Sequence, residues 1–392
     1  MTNFKKNLSV TLVFLLPVLC FAAEKLSVTA INQLPFARAS QTIKLTAQQL
    51  APLGENELNK IHVFDSTGNE VLSQAVDTDY DDYHKPDILI FQSNFAAGET
   101  KMFTVSAGKR HEYKKEDFKA YGRFARERFD DFAWENDRIA HRTFGKALET
   151  WKGEPLTSSS IDIWAKRVSY PVIDEWYMAD NYHKDTGEGC DDYTSGTSRG
   201  DGGNGLWANN KLWVSRNFVN SRTLAAGPIR VMFELVYEPF EVNGISVSEV
   251  KRVSLDAGQN LDHYQSFYTP FTRPENPVTL ITAIGLKKVA GEHLELNAAN
   301  GWLVSWQKME KQPGSEGVAI VFDPKQFVQP AEDKLNNLVI AKVSDDNVSD
   351  YWAGFGWDQT GQFTDAAAWK KYVDGFTQGL QSPIEVSVVE EK

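Results

Sequence analysis

The densest group of chemically active side chains lies between residues 182 and 205. His183, Tyr182 and Tyr193 stand there beside four carboxylates and a thiol within residues 182–193, and Arg199 follows in a glycine-rich run. A histidine near a carboxylate is suited to act as a general base, and a tyrosine can act as an acid. Because buried polar groups need partners, so polar a segment predicts an exposed functional loop. The alternative is a flexible surface loop with no chemical role.

The acidic residues of this loop could together hold a divalent cation. Their spacing matches neither an EF-hand nor a zinc motif, so the pattern does not identify a metal. The thiol, Cys190, has no thiol-protease motif around it and is interpreted as a small loop residue. Other histidines, among them His62, His111 and His293, are interpreted as structural or surface residues. The candidate cation ligands are His183, Asp185, Glu188, Asp191 and Asp192.

A second group of polar side chains lies upstream of this loop. If the segment forms a single strand, Asn136, Arg138 and Arg142 share one face. Glu135 and His141 then share the other face. Asparagine, arginine and histidine together can hold a carboxylate and move a proton. The alternative is an edge strand whose charges are solvated.

A third segment, residues 167–177, ends in Trp176 and Tyr177. We expect a strand here whose aromatic side chains offer a flat surface for sugar stacking. Ordinary aromatic core is the competing interpretation, because buried tryptophans are common. The chain has 11 tryptophans, a high number that favours a sugar-binding role for some of them.

The overall charge limits the possible partners. The chain carries 41 basic and 53 acidic residues, for a formal net charge of -12. So acidic a chain is a poor nucleic-acid binder. An anionic substrate remains compatible, because a local arginine cluster can oppose the global field.

The N-terminus has the pattern of a secretory signal. Lys5 and Lys6 precede an apolar run that ends at Ala22, which predicts a signal peptide over residues 1–22. The run is too short to span a bilayer comfortably, and no other segment predicts a membrane span. We therefore expect a periplasmic or secreted protein. The mature chain keeps one cysteine, so no internal disulfide stabilises it.

The rest of the sequence consists of short strand patterns separated by turns. Residues 23–110 predict a small β-sandwich, and residues 120–392 predict a large antiparallel sandwich that forms the catalytic domain. The segment 364–381 has the apolar spacing of a helix. We therefore expect a mainly β protein with few helices. No phosphate-binding glycine motif and no βαβ alternation occur.

Several motifs resemble the DUF4861 family, a secreted family of polysaccharide-utilisation clusters. The resemblance extends over almost the whole mature chain. It implies a galactose-mutarotase-like supersandwich for the C-terminal part, and a dehydratase activity on ulvan oligosaccharides. The motifs are RFDDFAWENDR (128–138), WY (176–177), YHKDTGEG (182–189), SRGDGG (198–203), GPIR (227–230) and YWAGFGW (351–357).

Such a dehydratase removes water across C4–C5 of a saturated uronic acid at the non-reducing end. The carboxylate must be neutralised, a base must remove the C5 proton, and an acid must protonate the departing C4 hydroxyl. Candidates for binding the carboxylate are Asn136, Arg138, Arg142 and Arg199. Candidates for the base are His141 and His183, and candidates for the acid are Tyr177, Tyr182 and Tyr193. Candidates for contact with the sugar are Trp176 and Tyr182.

Three other functions remain open at this point. A polysaccharide lyase needs nearly the same groups, since C4 then carries a sugar instead of a hydroxyl. A glycoside hydrolase would need two carboxylates, for which Glu135 and Asp185 are candidates. A non-catalytic carbohydrate-binding protein would depend on the tryptophans alone.

Overall fold

The computed structural model describes residues 24–78, 85–153, 155–271 and 279–391. The predicted signal peptide lies outside these ranges. Within them the strands form five sheets, and every pairing between named strands is antiparallel. The prediction of a mainly β chain with large antiparallel sandwiches is confirmed. In the same ranges, no helix is long and apolar enough to cross a membrane.

The N-terminal part is a small two-sheet sandwich. Its two sheets have the orders β26-β1-β7-β3-β4, in which β26 (Glu385–Glu390) comes from the C-terminal end of the chain, and β2-β6-β5. Leu26, Val28 and Ala30 alternate inward from β1 and pack with Phe91 of the facing sheet. The elements are β1 (Leu26–Ile31), β2 (Arg38–Thr46), α1 (Ala47–Leu50), β3 (Ile61–Asp65), β4 (Glu70–Val71), β5 (Ser73–Val76), β6 (Ile88–Phe95) and β7 (Thr100–Ala107).

A third sheet, of order β12-β11-β10-β9-β8, carries the segments that are richest in candidate catalytic and binding side chains. The segment predicted as one strand with two polar faces is a hairpin, so that prediction is wrong. Asn136 ends β9, and its side-chain oxygen accepts hydrogen bonds from the backbone of Arg138 and Ile139, which turns the chain. The elements are β8 (Ala120–Ala125), β9 (Asp131–Asn136), β10 (Ala140–Thr143), β11 (Asp162–Lys166), α2 (Ile173–Ala179) and β12 (Gly189–Cys190).

Two further sheets complete the large sandwich. Their orders are β14-β13-β19-β24-β23 and β15-β16-β17-β18-β25-β22-β21-β20. The strands are β13 (Asp201–Ala208), β14 (Lys211–Trp213), β15 (Asn220–Ala226), β16 (Arg230–Val242), β17 (Ile245–Asp256), β18 (Asp262–Pro270), β19 (Ile281–Lys287), β20 (His293–Asn297), β21 (Trp302–Lys308), β22 (Ser315–Phe322), β23 (Phe327–Glu332), β24 (Asn336–Lys342) and β25 (Val348–Trp357).

The main core lies between the eight-stranded sheet and the two five-stranded sheets that face it. Phe132 and Trp134 of β9 enter this core beside Phe233 of β16, and the rings of Phe132 and Phe233 stack at 3.9 Å. Alternate residues of β9 therefore point to the opposite face of their sheet, away from the core.

The C-terminal elements return to both parts of the molecule. Helix α3 (Ala366–Gln381) packs Trp369 and Val373 against the outer face of the eight-stranded sheet, which confirms the predicted helix. Asp365 caps its N-terminus by accepting a hydrogen bond from the backbone of Ala368. Strand β26 (Glu385–Glu390) then pairs with β1 of the N-terminal sandwich. Residues predicted to belong to the second domain thus complete the first.

Helix α2 occupies a segment that the sequence predicted as a strand. It has no side-chain N-cap; instead, the Glu135 carboxylate accepts hydrogen bonds from the backbone nitrogens of Val172 at 2.9 Å and Ile173 at 3.0 Å. Lys166 donates to Glu135 at 2.6 Å, and both side chains are at most 1% exposed. The pair satisfies the helix N-terminus and fixes α2 on the outer face of the sheet.

Replacing Lys166 by methionine should leave Glu135 as an uncompensated buried charge. We expect the free energy of unfolding to fall by about 3–5 kcal/mol, measured by urea denaturation. The control is Lys288→Met, which breaks the more exposed pair with Glu332 and should cost less than about 1 kcal/mol. Equal losses in the two variants would contradict the role of the buried pair.

Candidate functional site

The outer face of the β8–β12 sheet carries a buried charge cluster centred on Arg142. Its Nε lies 2.9 Å from Asp162 Oδ2, and its Nη2 lies 3.1 Å from Asp191 Oδ2. Its Nη1 lies 3.7 Å from Asp131 Oδ2 and donates to the Tyr182 hydroxyl at 3.3 Å. Three strands and the segment after β12 therefore converge on one guanidinium.

This cluster holds more negative than positive charge. Burial raises the pKa of Asp131 to about 7, although Arg142 opposes the shift. Burial also raises the pKa of Asp162, and it raises that of Asp191 well above its ordinary value. Burial disfavours the charged form of Arg142, but the three carboxylates overcome this effect and raise its pKa. The arginine therefore stays charged, and the excess negative charge is relieved by protons on the aspartates.

His183 lies at the rim of this cluster, and its side chain is 54% exposed. Its Nδ1 is 3.1 Å from the backbone oxygen of Asp191; a carbonyl only accepts, so Nδ1 carries the proton and Nε2 carries the lone pair. Partial burial lowers the pKa of His183, and Arg142, Lys311 and Arg128 lower it further. The imidazole is thus neutral at neutral pH, the state that a general base requires.

Tyr182 connects the rim to the buried charges. Its ring stacks on Trp164 at 4.9 Å and lies 4.5 Å from the His183 ring. Burial raises the pKa of Tyr182, while Arg142 and Arg128 counteract the shift. The hydroxyl keeps its proton in the resting protein, and the two nearby cations would stabilise the phenolate after proton transfer.

Arg128 is a further candidate that the sequence patterns did not single out. Its guanidinium carbon lies 5.4 Å from the Tyr182 ring and 5.7 Å from the Trp151 ring, and among the described residues no carboxylate lies within 4 Å of it. Phe129 and Asp130, the next residues, have φ angles of 54° and 65°, a strained arrangement typical of functional sites. The signal in the sequence was an arginine within an aromatic run, without a spacing that distinguishes it.

Two other predicted residues lie in the same region as His183, Arg142 and Tyr182. Tyr177 packs edge-on against Trp164 at 4.9 Å, and its hydroxyl has no hydrogen-bond partner among the described residues. Trp176 is 5% exposed and donates to Glu188 at 3.1 Å. Trp176 and Tyr182, which is 4% exposed, therefore belong to the same aromatic core below the site, and the indole N–H of Trp176 is already bound by Glu188.

His141 and Tyr193 lie elsewhere, although both were candidates for proton transfer. His141 is fully buried on the opposite face of the sheet, with Nδ1 3.0 Å from Asp162 O and Nε2 3.1 Å from Asp262 Oδ2. Burial lowers its pKa, but Asp262 overcomes this and raises it. Tyr193 is 2% exposed, with the Lys287 ammonium 4.9 Å from its ring centre. Neither side chain reaches the rim.

The remaining predicted carboxylate binders are separated from the rim as well. Asn136 donates to two backbone oxygens in the turn between Asp256 and Gln259. Arg199 is buried in the main core and donates to Ser159 Oγ at 3.1 Å.

Arg138 donates to Asn260 at 3.1 Å and lines a cavity of about 1290 Å³ beside α3. The other arginines of that cavity are already bound, since Arg38 donates to backbone oxygens of α3 and its end, and Arg230 pairs with Asp256. Two of the three arginines that line this cavity are therefore already engaged by other groups of the protein.

Most of the segment predicted as an exposed loop is buried, so that prediction is wrong. Asp192 accepts hydrogen bonds from the backbone of Glu310 and Lys311 at 2.6 and 3.0 Å, so a partner distant in sequence satisfies it. Burial raises the pKa of Cys190 to about 12, which keeps it an unreactive thiol.

The acids proposed as cation ligands or hydrolytic carboxylates have other partners. Asp185 pairs with Arg167 and accepts from the backbone of Gly187, whereas Glu188 accepts from Tyr170 at 2.6 Å. Glu135 is the buried partner of Lys166 and of the α2 N-terminus. Neither a divalent-cation site nor a two-carboxylate hydrolytic site is assembled here from the described residues.

The charge cluster should make folding stability depend on pH in a defined direction. The folded-state pKa of Asp131, about 7, exceeds the ordinary value of 3.8, so the folded state retains this proton as the pH rises. Stability from this group is therefore lost between about pH 4 and pH 7, by as much as about 4 kcal/mol. Asp131→Asn removes the titration, and urea unfolding at several pH values should show a flatter profile. Parallel profiles for the two proteins would contradict this assignment.

Comparison with known proteins gives a family and a fold. The chain matches the family described as "Domain of unknown function (DUF4861)" over residues 31–386. It is 30% identical over 376 residues to "Uncharacterized protein P7" of Formosa agariphila, covering 92% of this chain and 93% of that protein.

Among solved structures, it is similar to part of an α-mannosidase from Enterococcus faecalis V583, with a TM-score of 0.50 and 10% identity. The match covers 95% of this chain and 47% of the mannosidase, so the chain spans about half the length of that protein. At this identity the likeness concerns the fold, a sandwich-like fold found in carbohydrate-processing enzymes. The match over residues 31–386 shows that the chain belongs to the DUF4861 family.

Proposed function

We propose that the protein is a carbon–oxygen lyase that dehydrates a saturated uronic acid at the non-reducing end of an oligosaccharide such as an ulvan fragment. The observation that carries the proposal is the state of His183. Its Nδ1 proton is held by the backbone of Asp191, its Nε2 lone pair is available, and its side chain is half exposed. A neutral base beside a protonated tyrosine is the pair that β-elimination needs.

The proposed reaction assigns one task each to His183 at the rim, to Arg128, and to Tyr182, whose side chain is 4% exposed and lies against the His183 ring. His183 Nε2 removes the C5 proton, and the electron pair forms the C4=C5 double bond. The C4–O bond breaks, and the Tyr182 hydroxyl donates its proton to the leaving hydroxyl, which departs as water. Arg128 pairs with the substrate carboxylate and stabilises the negative charge that develops on it.

Arg142 is a positioning residue in this scheme. Its guanidinium nitrogens are engaged by Asp162, Asp191 and Tyr182. In this scheme Arg142 does not bind the substrate carboxylate, which was its predicted role. It holds the Tyr182 hydroxyl in place and stabilises the phenolate formed when that hydroxyl gives up its proton.

The decisive assay is incubation of the purified protein with oligosaccharides that end in a saturated uronic acid. We expect absorbance from the unsaturated uronate and a mass loss of one water per chain, with the chain length unchanged. Shortened chains that carry an unsaturated end would instead indicate a polysaccharide lyase. Added water would indicate a hydrolase, and no change with ulvan, alginate, pectin and glycosaminoglycan fragments would reject the proposal.

His183→Ala should abolish most of this turnover, because it removes the base. We expect a decrease in kcat of about 10²–10⁴-fold, with the folded structure retained, since the side chain is half exposed. His293→Ala is the matched control: His293 is 65% exposed on β20 and contacts Glu295. Equal activity of the two variants would exclude His183 as the base.

Arg128→Gln should weaken the interaction with the uronate carboxylate. Loss of a charged hydrogen bond of about 1.5–3 kcal/mol predicts a roughly 10–100-fold decrease in kcat/KM. Arg126→Gln, two residues earlier in the same short helix and exposed, is the control and should leave kcat/KM unchanged. If both substitutions have the same effect, the local positive charge matters but Arg128 has no specific contact with substrate.

A further inference from the structure

The N-terminal sandwich contains a second cluster of chemically active residues, remote in sequence from the proposed active site. His62 of β3, Glu70 of β4 and His111, which follows β7, bring one ligand atom each to within 4.8 Å of one another. From the sequence, His62 and His111 were interpreted as structural or surface residues. The cluster was not visible there because its members come from three separate segments.

The hydrogen bonds of the two imidazoles determine which nitrogen carries a proton. His62 Nε2 lies 2.7 Å from the backbone oxygen of Lys109, and His111 Nε2 lies 2.8 Å from the backbone oxygen of Ile61. A carbonyl oxygen only accepts, so both Nε2 atoms donate. In neutral rings, both Nδ1 atoms therefore carry lone pairs.

Both lone pairs face the same carboxylate oxygen. His62 Nδ1 is 2.6 Å from Glu70 Oε1, and His111 Nδ1 is 3.9 Å from that atom. Three acceptors at these distances repel one another unless a positive species lies between them. The two imidazole rings are also close together, with their centres 4.2 Å apart.

A divalent cation satisfies all three acceptors at once. Zinc binds histidine nitrogens and carboxylate oxygens at about 2.0–2.2 Å in tetrahedral geometry, which puts neighbouring ligand atoms about 3.3 Å apart. The observed distances of 2.6 and 3.9 Å lie on either side of that value. The Glu70 side chain is 50% exposed, so it can shift by the roughly 0.7 Å that separates these distances from the tetrahedral value, and it leaves room for a water as fourth ligand.

The surroundings of the cluster fit a metal site. Metal-bound histidines commonly donate their second ring N–H to a backbone carbonyl, and both imidazoles do so here. Gly108 lies against the His62 ring: a Cβ at this glycine would be 2.7 Å from His62 Cδ2. The chain leading to His111 thus passes close to the first imidazole.

We propose that His62 Nδ1, His111 Nδ1 and Glu70 Oε1 form a binding site for a zinc-like divalent transition-metal ion. The ion joins the β3–β4 hairpin to the segment that leads from the N-terminal sandwich into β8. The site lies in a different sandwich from His183, so the role of the ion is structural. It holds the β3–β4 hairpin against the segment that leads into β8.

The test uses the full mature chain and metal ions alone. The metal-stripped protein is titrated with Zn²⁺ by calorimetry, and with Co²⁺ by visible absorption, which reports tetrahedral nitrogen and oxygen ligands. We expect one equivalent to bind and the Tm to rise. Glu70→Gln, His62→Gln and His111→Gln should each weaken the affinity by at least about tenfold.

Glu70→Gln is the most informative variant, because its half-exposed side chain makes misfolding a poor explanation of a lost site. His293→Gln is the control: His293 contacts Glu295 at 2.9 Å on β20, and among the described residues no third potential metal ligand joins that pair. The control should bind as the wild type does. A wild-type protein that binds no stoichiometric Zn²⁺ or Co²⁺, or whose binding is unchanged by Glu70→Gln, would overturn the proposal.

Discussion

The neutralisation of buried carboxylates by Arg142 is the interaction on which the proposed site depends. Asp131, Asp162 and Asp191 come from different strands or from the segment after β12, and each contacts the guanidinium. One guanidinium cannot neutralise three buried carboxylates, so Arg142 stays charged while protons on the aspartates relieve the remaining negative charge. The same guanidinium donates to the Tyr182 hydroxyl, so the position of this side chain depends on the charge cluster.

Arg142 also acts, together with Arg128, on the protonation of two neighbouring side chains. His183 and Tyr182 are adjacent in sequence, and both experience Arg142 and Arg128. These cations disfavour protonated histidine and favour ionised tyrosine. As a result, His183 is unprotonated and can act as a base, and the phenolate form of Tyr182 is stabilised. Partial burial strengthens the first effect and opposes the second, so the tyrosine still holds its proton before reaction.

Sequence alone predicted the architecture better than the site. Alternation along the strands and the apolar spacing before Gln381 were local signals, and the structure agrees with them. Burial of Asp192 and Arg199 was not predictable, because their partners are backbone and side-chain groups more than a hundred residues away or on another strand. The placement of His141 depended on where the β9–β10 turn falls, since a hairpin changes which residues share a face.

The pairing of β1 with β26 gives the molecule an unusual order of assembly. Leu26 lies opposite Glu390, so the edge of the N-terminal sheet is completed only by the strand that follows α3. Closing so long a loop is entropically costly and slow, which places this step late in folding. During synthesis, the N-terminal sandwich would keep an open edge until β26 has left the ribosome.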